Sequence, residues 1–168
     1  MKGTQKREVT GYWVSFPIFY FRFKELRHLR ILMIGDVIGK HGRDAMRALL
    51  AVLKPGKTIY FVICNGENTA GGYGLNSDTV AELLESGVDV LTSGIHIWGK
   101  REILSLMDED LPLIWLPNYP DPPGRDYIHM RGVTVVNLMS RVFMASLDCL
   151  FRTIAALLDQ LKERATAT

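Results

Sequence analysis

The chain has 168 residues, 48% hydrophobic and 23% charged, the balance of one globular domain that buries roughly 70% of the surface its unfolded chain would expose. No run reaches the ~20 apolar residues that cross a bilayer, which excludes a helical membrane span. The net charge of +2 is unevenly placed: the first 30 residues carry seven Lys/Arg against two Asp/Glu, leaving thirteen against sixteen in the rest, and so mildly acidic a body has no electrostatic hold on a nucleic-acid backbone, so DNA binding is not expected.

Residues 1–28 read as an extension of different character. Seven of the sixteen aromatic residues lie in Tyr12–Phe23. That run lacks both helical periodicity and a small-residue cleavage site, so it reads as an appendage and not as a signal peptide, with an interfacial anchor of aromatics and flanking Lys/Arg as the alternative. The body, 29–164, alternates apolar runs of strand length with segments of helical period, the pattern of βαβ units, and 165–168 is a short tail.

In chain order, 29–35 predicts a strand, and 42–53 a helix with Ala45, Leu49, Leu50 and Leu53 on its apolar face before Pro55-Gly56 stops it. A second strand covers 58–65. Asn76 or Ser77 caps the helix "DTVAELLESG", which ends at Gly87. A third strand spans 88–94, a helix about 100–107, and a fourth strand 111–118. The Pro/Gly-rich stretch 117–126 is a loop, 127–138 is a strand pair bent near Gly132, and 147–164 is a closing amphipathic helix. The strands are nearly continuous Val, Ile and Leu, as in a parallel sheet covered by helices on both faces. Cys64 and Cys149 are too few for a disulfide framework and read as buried, reduced thiols in a cytoplasm.

Polar residues follow the predicted strands: Asp36 after the first, Asn65-Gly66-Glu67-Asn68 after the second, His96 after the third and Asn118 after the fourth. The carboxyl ends of an open α/β sheet line one crevice, so these groups are expected to converge there. Asp, Glu, Asn and His are oxygen and nitrogen donors for divalent metals. Taken singly, each has a plainer reading: Asp36 as a helix cap, "NGENTAGGYG" as a glycine-rich turn, His96 as a packed histidine, Trp98 as core and His41 as surface. Glu67 resists that treatment, because turn chemistry does not require a carboxylate among small residues. The helix N-terminus near Gly42 and Arg43 offers outward N–H groups to a phosphate, but no G-x-G-x-x-G, P-loop or G-x-S-x-G motif is present.

The motifs "RILMIGDVIGKHGRD", "VICNGENTAGGYGL", "LTSGIHIWGKREI" and "LPNYP", in this order and spacing, resemble the YmdB-like metallophosphoesterases over about Arg30 to Lys162. That resemblance implies a layered calcineurin-like α/β fold, built from consecutive βαβ units with mostly parallel strands and incomplete in this chain. It also implies a cytoplasmic 2',3'-cyclic-nucleotide phosphodiesterase with two divalent ions, iron or manganese, and a small phosphodiester or nucleotide substrate. By position, Asp36 would bind one metal, Glu67 bridge both, Asn68 bind the second, and His96 protonate the leaving group. Two departures lower the expected activity. Ile95 stands where the family has a metal-ligating Asn, and the family's later Asp-Phe-His-type and Thr-His-Thr-His-type motifs have no counterpart before "KERATAT". The alternative is a non-catalytic binding or scaffold module, self-associating across an exposed sheet edge.

Overall fold

The computed structural model describes residues 29–107, 109–142 and 146–166, so the aromatic extension 1–28 and the last two tail residues lie outside the described residues. Four short parallel strands, β1 (Ile31–Ile34), β2 (Phe61–Asn65), β3 (Val90–Thr92) and β4 (Leu113–Ile114), pair in sequential order. The helices between them are α1 (Gly39–Gly56), α2 (Ser77–Glu85) and α3 (Ile103–Met107). Register couples Ile34 to Cys64 and Asn65 to Thr92, so β1, β2 and β3 end side by side.

Alternation along the strands divides the core. Val62, Cys64 and Leu91 face the helices, packing with Met46, Leu50, Leu83 and Ile103. Phe61, Ile63 and Val90 face the other way, onto Ile128, Val133 and Val135. Those last residues belong to an antiparallel hairpin, β5 (Tyr127–Met130) and β6 (Val133–Val136). The remaining helix, α4 (Leu150–Thr166), packs through Leu157 on Val136 and Leu138. The order of layers is therefore helices, parallel sheet, hairpin, helix. The expectation of helices on both faces is corrected here: the period-two apolar face of a hairpin covers the second face equally well.

Local chemistry explains the element ends. Asn76 caps α2 by accepting from the Thr79 N–H at 3.0 Å, while the Thr79 hydroxyl accepts from the Asn76 N–H at 3.1 Å, a reciprocal pair that satisfies two donors the helix leaves free. The hairpin turns on Arg131 and Gly132 with φ of 49° and 76°, the left-handed pair that a two-residue connection requires. α1 departs from expectation, beginning at Gly39 and running through Pro55. The missing Pro55 N–H falls in the last turn, beyond which the Lys57 N–H still reaches Leu53 O at 2.9 Å. The apolar face of α1 is also corrected: Met46 and Leu50 are buried, whereas Ala45 and Leu49 are exposed, because the sheet and α2 lie on the Met46 side. β4 is only two residues long; the apolar residues after it, Trp115 and Leu116, are buried outside any strand.

At the amino end of the sheet Asp89 gathers three elements. Its carboxylate accepts the Val62 N–H at 2.7 Å and pairs with Arg131 at 2.5 Å and Lys54 at 3.8 Å. The Arg131 guanidinium also lies 4.9 Å from the centre of the Phe61 ring.

The two thiols differ more than expected. Burial pushes the Cys64 thiol up to about 12, whereas Cys149, half-buried just before α4, is lowered because the Arg152 and Phe151 backbone N–H groups hydrogen-bond its sulfur. Nucleophilicity follows thiolate content and access. Brief iodoacetamide treatment near neutral pH should therefore alkylate Cys149 and spare Cys64 in the folded chain, as read by peptide mass spectrometry. Equal labelling would contradict this arrangement.

Candidate active site

Three loops leave the carboxyl ends of β1, β2 and β3 and are tied together by backbone before any side chain contributes. The Val37 N–H donates to Asn65 O at 3.1 Å, the Gly39 N–H to Asn68 O at 2.9 Å, and the Gly66 N–H to Thr92 O at 3.1 Å. Asp36 turns the chain out of β1 with φ of 38°, a left-handed conformation that Asp tolerates better than most residues. In the second loop the Asn65 side-chain oxygen Oδ1 accepts the Glu67 N–H at 3.0 Å and its Nδ2 donates to Glu67 Oε1 at 3.3 Å. This Asx-type turn sets the direction of the Glu67 carboxylate.

The third loop is the 3-10 turn Ile95–Gly99, which fills the interval between the predicted third strand and the helix at about 100–107. The His96 N–H donates to Glu67 Oε2 at 3.0 Å. Beneath it is Gly94, where a β-carbon would overlap the Glu67 carboxylate. His96 Nδ1 lies 2.7 Å from Asn68 Oδ1, and Asn68 Nδ2 donates to Asp36 Oδ1 at 2.5 Å. A carboxylate only accepts, so the Asn68 NH₂ faces Asp36 and its oxygen faces the imidazole; His96 then carries its hydrogen on Nδ1 and presents Nε2 to a ligand. Asn68 is 7% exposed, and burial preserves this line.

Asp36, Glu67, Asn68 and His96 thus form one hydrogen-bonded cluster. Other expectations are corrected. Asn118 is fully buried and spent on structure: its amide donates to Met139 O at 2.8 Å and its oxygen accepts the Met139 N–H at 3.0 Å. The Gly42 N–H, expected to face outward at a helix start, donates to Ile38 O at 3.0 Å because α1 already begins at Gly39, and the Arg43 guanidinium binds Glu82 and Thr69 O, each at 2.5 Å, bridging α1, α2 and the second loop. Trp98 is 42% exposed; the core indole is Trp115, on which Trp98 rests edge-on at 4.7 Å. A cleft of about 320 Å³ lined by Asn76, Glu82 and Lys100 opens nearby, but none of the four cluster residues lines it.

Two carboxylates and one amide oxygen are hard donors that suit a divalent cation. Asn68 Oδ1 has a second lone pair beyond the one facing His96. Among the described residues no group of three or more His, Cys, Asp and Glu side chains gathers closely enough to hold an ion, so these donors fall short of a closed coordination shell. Ile95, 37% exposed at the start of the turn, adds an aliphatic side chain and no donor.

Sequence reasoning missed Asn65 as the support of Glu67, Gly94 as the space it occupies, and Tyr73, whose ring lies 4.8 Å from that of His96. The first was detectable, since Asn two residues before Glu is the spacing of an Asx turn. The other two depend on contacts between loops.

Stretches similar to this chain are found in known proteins. A 2',3'-cyclic-nucleotide 2'-phosphodiesterase of Bacillus subtilis is 39% identical over 125 residues, covering 71% of this chain and 47% of that protein. A solved structure of a hypothetical protein from Thermus thermophilus superposes with a TM-score of 0.71 at 34% identity, covering 78% of this chain and 53% of the other. A phosphatase structure from Mycoplasma pneumoniae shares the fold at a TM-score of 0.70 and 24% identity, with 79% of this chain and 51% of the other covered. The chain therefore spans about half the length of the relatives it matches. The model of the YmdB-like protein family matches residues 32–168, and on that match the chain belongs to the YmdB-like family.

Proposed function

We propose that this chain carries part of the active site of a metal-dependent phosphodiesterase acting in the cytoplasm on cyclic nucleotides or related small phosphodiesters. The observation that supports it is the hydrogen-bonded line Asp36–Asn68–His96 with Glu67 alongside. Asp36, Glu67 and Asn68 would hold divalent iron or manganese. When bound, two such ions polarise the phosphoryl oxygens and make hydroxide available near neutral pH.

The chain's own residues set the geometry. His96 stands where a leaving group departs, entering the step as an imidazolium with a hydrogen on each ring nitrogen. As water adds to phosphorus, losing a proton to solvent, and the P–O bond to that group breaks, His96 gives the Nε2 proton to the departing oxygen and is left as the neutral Nδ1–H ring. Its Nδ1–H stays on Asn68, so the ring cannot flip or exchange tautomers during the transfer. Asp36, by holding the Asn68 NH₂, keeps the Asn68 oxygen directed at the imidazole. The Asn65 amide and the His96 N–H fix Glu67 from two sides. With Ile95 donating nothing, a second ion is held more weakly than the first.

Hydrolysis of bis-p-nitrophenyl phosphate with added manganese or iron tests this reading, and His96→Ala should lower kcat by about 10²–10⁴-fold, the usual contribution of positioned proton transfer. Ile95→Asn should raise the rate. The missing donor at Ile95 also favours a second reading, a binding module without turnover. Absence of hydrolysis in the natural chain, unrestored by Ile95→Asn, would select it.

A further inference from the structure

A phosphodiester at His96 leaves the rest of its substrate unplaced, and the rim beside His96 carries an exposed but fixed ring. Tyr73 is 50% exposed. Its ring tilts 41° against the His96 imidazole at 4.8 Å, and it presses on Gly99, where a β-carbon would overlap it. The loop that carries it is closed by the Gly74 N–H on Glu67 O at 2.7 Å and the Ala70 N–H on Gly74 O at 2.9 Å. Tyr73 thus hangs from the same loop as Glu67 and Asn68 and moves with them. A tyrosine that merely filled space would be covered; this one is immobilised on one side and open on the other. Trp98, the neighbouring exposed aromatic, is instead packed into a cluster with Trp115 and Tyr119.

We propose that Tyr73 is the stacking platform for the base of a nucleotide whose phosphate lies at His96. The inference rests on the phosphodiesterase reading above and names its substrate class. Proximity permits it, because the two rings are neighbours 4.8 Å apart and a single ribose joins a nucleotide's base to its phosphate. Stacking uses the π-face that every base has, so purine and pyrimidine nucleotides should bind alike.

The test is equilibrium binding of adenosine 2'-monophosphate, uridine 2'-monophosphate and ribose 5-phosphate to the full chain in manganese-containing buffer. Both nucleotides should bind about tenfold more tightly than the sugar phosphate. Tyr73→Phe should keep that advantage, and Tyr73→Leu should erase it while leaving ribose 5-phosphate affinity unchanged, which shows the phosphate end intact. An advantage that survives Tyr73→Leu, or that is absent from the natural chain, overturns the platform and leaves the phosphodiesterase reading standing. Failure of all three compounds to bind overturns both.

Discussion

Gly94→Ala is expected to weaken manganese binding by at least about 100-fold, since loss of a mere outer partner of a metal ligand already costs about 10–100-fold. The reason is space, not backbone strain. Gly94 has φ of −149° and ψ of −155°, extended values open to alanine, but its β-carbon would overlap the Glu67 carboxylate. The methyl group would drive Glu67 from its seat and break its bond to the His96 N–H. Manganese titration followed by electron paramagnetic resonance, with circular dichroism to verify the fold, measures the effect. Undiminished affinity in a folded Gly94→Ala chain would remove Glu67 from the donor set.

The largest loss of stability is expected from Trp115→Ala, about 3–5 kcal/mol, the cost of emptying a large aromatic site in a core. Trp115 is 1% exposed and supports both Trp98 and Tyr119 by edge-on contacts. Its Nε1 is buried without a hydrogen-bond partner among the described residues, so Trp115→Phe, which removes that unsatisfied donor, should recover most of the loss. Trp98→Ala, at a half-open position, should cost far less. Urea unfolding of the three variants decides; a Trp115→Ala midpoint close to that of the natural chain would contradict the packing described.

Much of this architecture was legible because parallel strands are built of unbroken apolar runs and because polar residues at their carboxyl ends must share one mouth. That rule brought Asp36, Glu67, Asn68 and His96 to the mouth together with Asn65 and Asn118, and the family resemblance singled out the four. Residues whose role depends on a partner from another loop were not legible. Nothing local distinguishes Asn118, tied to backbone at residue 139, from a ligand. Trp98 was read as core and is half-open, because indole hydrophobicity does not say which of two neighbouring rings lies under the other. The α1 stripe was misjudged for a related reason: Leu49 and Leu50 are equally apolar, and only the position of the neighbouring helix makes Leu50 the buried one. The covering of the second sheet face eluded reading because a hairpin and a helix offer similar apolar area with different periods.

The Asp89 cluster has a consequence for anyone altering this protein. It fastens the start of β2, the end of α1 and the hairpin tip at the pole opposite the reactive groups, so the molecule separates anchorage from chemistry along the strand axis. Changes that tighten the anchoring pole can make the scaffold hardier without disturbing the reactive mouth, and the loops at that mouth can be re-sequenced for other substrates while the anchor keeps the sheet in register.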